Sequence, residues 1–155
     1  MISMARAATK QMILCADDYG LAPEIDHAIL NLGAAAQISA VSCMTGGPSW
    51  QQSAPLLRQT QGSLDLGLHF TLTEITPLGP MPHLAPTGQF PELATIIRCV
   101  ILGQCDIGEI RAEAYRQMET FCQAIGRPPD HIDGHQHIHC FPRLYLYIWN
   151  LRIKI

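Results

Sequence analysis

Charge of either sign is scarce in this sequence: charged residues make up 15% of 155, and the formal net charge is −3. A weakly acidic chain has no electrostatic reason to seek nucleic acid or an anionic membrane surface, so neither is expected as a partner. Long apolar runs are missing too. The basic residues of 1–11 lead only to Met12-Ile-Leu-Cys-Ala16 before two aspartates interrupt. That run is too short for a signal peptide or a membrane span, so a cytoplasmic chain with a flexible 1–11 segment is expected. Cysteines 15, 43, 99, 105, 122 and 140 include no Cys-x-x-Cys pair, and several stand in apolar runs. Free thiols buried in a reducing compartment are therefore expected. Gly46-Gly47-Pro48 lacks the lysine and hydroxyl of a phosphate loop, and no Gly-x-Ser-x-Gly elbow occurs.

What is present suffices for one packed domain, since apolar residues make up 48% of the chain. Met12 to Ala16 has the pattern of a strand buried on both faces. Pro23 opens a segment with apolar residues at Ile25, Ala28, Ile29 and Leu32, the spacing of a helix entered through proline. Ile38 to Met44 predicts a second strand, and Ser49 stands where it would cap a helix running to about Arg58. Leu64 to Phe70 predicts a third strand. The segment from Thr71 to Pro91 holds five prolines and two glycines and predicts a long loop, of the kind that is functional or mobile. Helices are expected over Glu92 to Leu102 and Ile107 to Ile125, then a fourth strand from His131. Alternating strand and helix predicts a parallel α/β arrangement with right-handed crossovers.

That arrangement gives the polar residues a meaning. In parallel α/β folds the strand C-terminal ends, with their loops, gather on one face. Asp17 and Asp18 follow the first strand, His69 ends the third, and Asp133 and His135 end the fourth. Two adjacent carboxylates at a strand end cannot both point into the sheet, so one can ligate a cation while the other addresses water or substrate. In extended backbone His135, His137 and His139 would share a face, with His131 further back. Imidazoles with carboxylates suit zinc, iron, nickel or manganese without selecting among them. Three protein ligands and an open position are what a catalytic divalent ion requires, and a spare carboxylate beside it can act as general base.

Three motifs stand in order: Ala16-Asp17-Asp18-Tyr19-Gly20-Leu21, Gly67-Leu68-His69-Phe70-Thr71-Leu72-Thr73, and His131-Ile-Asp-Gly-His135-Gln-His-Ile-His139, the last preceded by Gly126-Arg127-Pro128-Pro129. Together they resemble the YdjC-like carbohydrate deacetylases (the ChbG/HpnK family), over about Met12 to Pro142. The resemblance implies a TIM-like (β/α) barrel and a divalent metal ion, magnesium first and zinc second. It implies Asp18, His69 and His135 as metal ligands and Asp17 as the catalytic base. Asp133, His137 and His139 would stand behind the ligands or face the substrate, with Asp133 orienting a ligand imidazole. The implied substrate is a small N-acetylated carbohydrate, of chitooligosaccharide or glycolipid type, and the implied reaction is attack of metal-activated water on the amide.

A complete (β/α)₈ barrel takes roughly 250 residues, so this chain is expected to supply a partial one, of about four or five strand–helix units. The aromatic and β-branched stretch 143–155 is an atypical tail that does not resemble the family's continuation, and the acid that would protonate the leaving amine is expected beyond it. An open parallel sheet exposes an edge and apolar faces, so a homodimer or a marginally stable fragment is expected. A non-catalytic metal-binding remnant is the alternative reading, and a metal-assisted sugar epimerase or lyase is a third.

Overall fold

A computed structural model describes residues 12–60, 62–141 and 144–145. The expectations for 1–11 and for most of 143–155 lie outside the described residues. Four strands form one sheet: β1 (Cys15–Tyr19), β2 (Ala40–Cys43), β3 (Asp65–Phe70) and β4 (His131–Gly134). Their spatial order is β1-β2-β3-β4 and every pairing is parallel. Helices α1 (Pro23–Ala34) and α2 (Trp50–Arg58) make the first two crossovers, and α3 (Leu93–Leu102) and α4 (Ile107–Ile125) lie in the third. This is the expected α/β class, parallel strands with flanking helices. Sequential strands that pair side by side through helical crossovers are the repeating unit of a (β/α) barrel.

Each helix begins and ends for a local reason. Pro23 occupies the first turn of α1, where its missing N–H costs no hydrogen bond. At α4, the Asp106 side chain accepts the Glu109 N–H, and Gly126 ends the helix in the left-handed region that a Cβ disfavours. Ser49 precedes α2 without capping it. Its hydroxyl instead donates to Asp26 Oδ2 at 2.6 Å, while Asp26 Oδ1 accepts the Gly20 N–H at 2.6 Å. Asp26 is buried, and these bonds satisfy it while binding the turn after β1 to α1 and α2.

Two apolar clusters flank the sheet. One joins Tyr19, Ile29, Val41, Trp50, Leu57, Leu66, Leu68 and Phe121 between strands and helices. The other joins Met44, Phe70, Leu72, Ile96, Val100, Ile110 and Ile138 beneath the strand C-terminal ends. The segment from Thr71 to Pro91 has no helix or strand, as expected, yet it is anchored. Glu109, Glu113 and Gln117 recur every four residues and so share one face of α4. Glu109 accepts the N–H groups of His83 and Leu84, Glu113 accepts that of Leu78, and Gln117 both accepts from and donates to the Thr71 backbone.

The cysteine expectation needs correction. Cys99 and Cys105 form a disulfide across the α3–α4 turn, and of the free thiols Cys43 is buried while Cys140 is exposed. Spacing alone did not reveal the pair, because the turn at Gly103 brings the two Cα atoms to 5.2 Å.

Candidate functional site

The strand pairing register assembles the site. His69 and Asp133 are direct partners across β3 and β4, so their side chains leave the sheet on the same side. His69 Nδ1 lies 2.7 Å from Asp133 Oδ1. Two residues earlier, Ser42, Gly67 and His131 stand in a row across three strands. Gly67 has no side chain there, and a Cβ would fall within the His131 ring. Ser42 Oγ therefore reaches His131 Nε2 across it, at 3.1 Å, and also donates to Asp133 Oδ1 at 2.7 Å.

The paired aspartates come from a break in the ladder. Ala16 pairs with Val41 and Tyr19 with Cys43, so β1 carries one residue more than β2 between these points. Such a bulge re-aims side chains at a strand end. Asp18 takes it up at φ 66°, in the left-handed region that aspartate tolerates better than most residues. Asp18 turns inward, and Asp17 is exposed beside it. Asp18 Oδ1 lies 3.2 Å from His69 Nε2 and 2.9 Å from His135 Nδ1. The far nitrogen of His135, Nε2, lies 3.0 Å from Glu74 Oε2.

Both imidazoles are thus flanked by carboxylates on each side. A neutral ring has one N–H, and a carboxylate only accepts. When the outer carboxylates, Asp133 and Glu74, accept those N–H groups, the inner nitrogens turn two lone pairs onto Asp18 Oδ1. Two lone pairs and an anionic oxygen facing one point repel unless a cation lies among them. Donor atoms of Asp18, His69 and His135 lie within 4.8 Å of one another, an oxygen and two nitrogens that suit a divalent metal ion. Asp17, His69 and Asp133 meet the same distance limit. In that second set, however, Asp133 is already engaged by His69 and Ser42, so the Asp18 set is the better cation cradle.

The electrostatics show a cluster that draws positive charge. Burial lowers the His69 imidazolium's pKa, but the hydrogen bond to Asp133 and the charges of Asp133, Asp17 and Asp18 outweigh it and leave that pKa above its ordinary value. Burial likewise raises the Asp133 pKa, and the bonds from His69 and Ser42 reverse the shift to below the usual carboxylate range. Among the described residues the arginine ion pairs lie elsewhere, Arg116 with Glu113 and Arg127 with Asp130. The cluster's excess negative charge therefore has no arginine partner there. The Cys15 thiol, pushed up to about 11 first by burial and then by Asp17 and Asp133, is no nucleophile.

Residues 11–152 match the sequence profile of the YdjC-like proteins. The chain belongs to the YdjC-like family. A chitooligosaccharide deacetylase of Serratia marcescens is 37% identical over 137 residues, which are 88% of this chain and 53% of that protein. A carbohydrate deacetylase of Mus musculus is 32% identical over 137 residues, covering 85% of this chain and 44% of the relative. The chain thus spans about half the length of the curated relatives it matches. A crystal structure of an Enterococcus faecalis protein, provisionally assigned to cellobiose-phosphate cleavage, superposes with TM-score 0.76 at 23% identity. It covers 92% of this chain and 54% of its own, and so supports the fold.

Within this YdjC-like chain, the third motif departs from the expected geometry. Gln136 and His137 both adopt left-handed φ, 51° and 58°, so the segment after β4 curls into a short 3₁₀ turn over His135–Cys140. His135, His137 and His139 therefore do not share an extended face. His135 is buried against Asp18, His137 is exposed, and the rings of His137 and His139 meet edge-on at 6.2 Å. His131 lies below the site with Ser42 rather than in it.

Glu74 is the site residue that motif reading missed. It sits four residues after the last residue of β3, inside the proline-rich loop, where no periodic pattern singles it out. Among the described residues, Asp18, Glu74 and Gln136 of this site adopt positive φ without being glycine. Strain of that kind gathers at functional sites. The loop that carries Glu74 is held at its stem by Gln117, which is fully buried. Gln117→Leu strands the buried N–H and C=O of Thr71, at roughly 1–3 kcal/mol for each orphaned group. A stability loss of about 2–6 kcal/mol is therefore expected in urea unfolding. A change below about 0.5 kcal/mol, the size of an ordinary surface substitution, contradicts the anchoring role.

Proposed function

We propose that this chain carries the metal-holding and water-activating part of a carbohydrate N-deacetylase, a hydrolase that releases acetate from small N-acetylated sugars. The observation that carries the reading is the convergence of His69 Nε2 and His135 Nδ1 on Asp18 Oδ1, at 3.2 and 2.9 Å. The deacetylase names of the 37% and 32% identical relatives support the substrate class.

Asp18, His69 and His135 would hold a divalent ion, magnesium or zinc. Once bound, such an ion supplies Lewis acidity for the acetamide carbonyl and acidifies water. The chain's own side chains do the remainder. Asp133 accepts a hydrogen bond from the Nδ1–H of His69 and leaves Nε2 free, fixing the tautomer that a ligand needs. Asp17, exposed beside the cradle, accepts the proton that the attacking water gives up. Its exposure keeps a water within reach, and its neighbour Asp18 is already committed to the imidazoles. Overall, water adds to the carbonyl carbon, the C–N bond breaks as the leaving nitrogen gains a proton that the water gave up, and the products are acetate and the free amino sugar. His137, which is exposed, and His139 beside it would face the sugar.

Acetate release from N,N′-diacetylchitobiose tests the reading. The expected result is turnover that a chelator removes and added magnesium or zinc restores. A protein that binds the metal but releases no acetate from N-acetylated sugars is a metal-binding protein without this activity. Among the described residues no helix is long and apolar enough to cross a membrane.

A further inference from the structure

Glu74 occupies an unusual backbone. The Ile75 N–H donates to the Thr73 carbonyl at 2.7 Å, closing a three-residue turn around Glu74 at φ 66°. A γ-turn of this hand is rare and strained for a residue with a side chain, and persists only where surrounding contacts impose it. The stem of the loop is fixed by Gln117 at Thr71 and by Glu113 at Leu78. The result is a half-exposed carboxylate held beside the site, with Oε2 at 3.0 Å from His135 Nε2 and Oε1 accepting from Gln136 Nε2 at 2.7 Å.

His135 is thereby placed between two carboxylates that compete for one proton, Glu74 at Nε2 and Asp18 at Nδ1. The two choices have opposite consequences. A proton on Nε2 leaves the Nδ1 lone pair facing Asp18 Oδ1 and His69 Nε2, whereas a proton on Nδ1 blocks it. We propose that Glu74 is the positioning residue that draws the proton of His135 to Nε2 and keeps Nδ1 free as a metal donor. It is the counterpart, on the other imidazole, of Asp133 at His69, and rests on the ligand set proposed above. Gln136, turned left-handed, holds the free oxygen of Glu74 and fixes the direction of the carboxylate.

The test uses the 155-residue chain and two variants, Glu74→Ala and Glu74→Gln. Imidazole ¹⁵N spectra of the metal-free protein report which nitrogen of His135 carries the proton. The wild type is expected to show it on Nε2. Glu74→Ala leaves Asp18 as the only carboxylate acceptor, so the proton moves to Nδ1. Zn²⁺ titration by calorimetry should then give a dissociation constant higher by about 10–100-fold, the usual cost of losing a ligand's hydrogen-bond partner. Glu74→Gln removes the charge but keeps a carbonyl acceptor, so it should hold the Nε2 proton and lose less affinity.

Equal losses in both variants, with the His135 proton on Nε2 throughout, mean that Glu74 acts only through its charge and overturn the positioning role. Unchanged Zn²⁺ affinity in Glu74→Ala overturns it as well. A wild type that binds no Zn²⁺ fails at the ligand set itself, and the tautomer spectra of the metal-free protein distinguish that failure from a failure at Glu74. Coincident urea transitions for all three proteins establish that the comparison is made between folded chains.

Discussion

Asp18→Asn is expected to lower divalent-metal affinity more than about 100-fold, above the upper end of what losing a ligand's supporting partner costs. Asp18 Oδ1 is the one atom that both imidazoles approach, and it is the only negative donor in the set. An asparagine oxygen there is a neutral, weaker donor. The amide can also turn its NH₂ toward His69 and His135 and bond both lone pairs, which closes the cradle instead of opening it. Asparagine tolerates the φ of 66° at this position, so the fold should survive and the loss can be assigned to the site. Metal content after dialysis, together with calorimetric titration, measures the effect, and His137→Ala is the control. His137 is exposed and meets the neighbouring His139 ring, so its loss should leave affinity within about twofold, the scale of an ordinary surface change. Equal occupancy in Asp18→Asn and the wild type removes Asp18 from the ligand set.

Asp17→Asn should give the opposite pattern, with metal retained and turnover reduced by about 10²–10⁴-fold, the contribution of a positioned general base. The two aspartates are adjacent in sequence and separated in role by the bulge. Asp18 spends the extra residue of β1 on turning inward, and Asp17 is left exposed, free of the imidazoles' hydrogen bonds. An exposed side chain contributes little to the folded state, so stability should change by less than about 0.5 kcal/mol. The measurement is the rate of acetate release at saturating metal, with occupancy checked in the same sample. Undiminished turnover excludes Asp17 as the base. A fall in both occupancy and rate instead makes Asp17 a ligand, which its distance to donors of His69 and Asp133 would permit. The two substitutions together therefore assign the roles within the pair.

Much of this site was readable from one principle. Parallel strands place their C-terminal ends on one face, so Asp17-Asp18, His69, Asp133 and His135 could be gathered before any geometry was known. Helix α4 runs from Ile107 to Ile125, as its apolar spacing and the following glycine predict. Elements of this kind depend on short-range periodicity and capping, which a single sequence carries. The later strands also followed within a few residues, but the first did not: Met12, Ile13 and Leu14 are exposed and precede β1, which starts at Cys15 and includes both aspartates. The third motif did not follow, because an alternating His-x-His-x-His pattern suggests extended backbone. Packing of Ile138 into the core beneath the strand ends, with Gln136 and His137 in the left-handed region, overrode that pattern. Glu74 had no local signal at all. Its place depends on Gln117 and Glu113, more than thirty residues away, holding the loop that carries it.

By itself, then, the sequence determined the α/β class, the strand-end placement of the aspartates and histidines, and the family resemblance, since each is written in local order and spacing. Only the tertiary structure decided which atoms meet. The bulge aims Asp18 inward, the β3–β4 register sets His69 on Asp133, and the anchored loop brings Glu74 to His135. These are pairings across 61 to 117 residues of chain, made by strand register and buried side-chain bonds, and no local pattern records them.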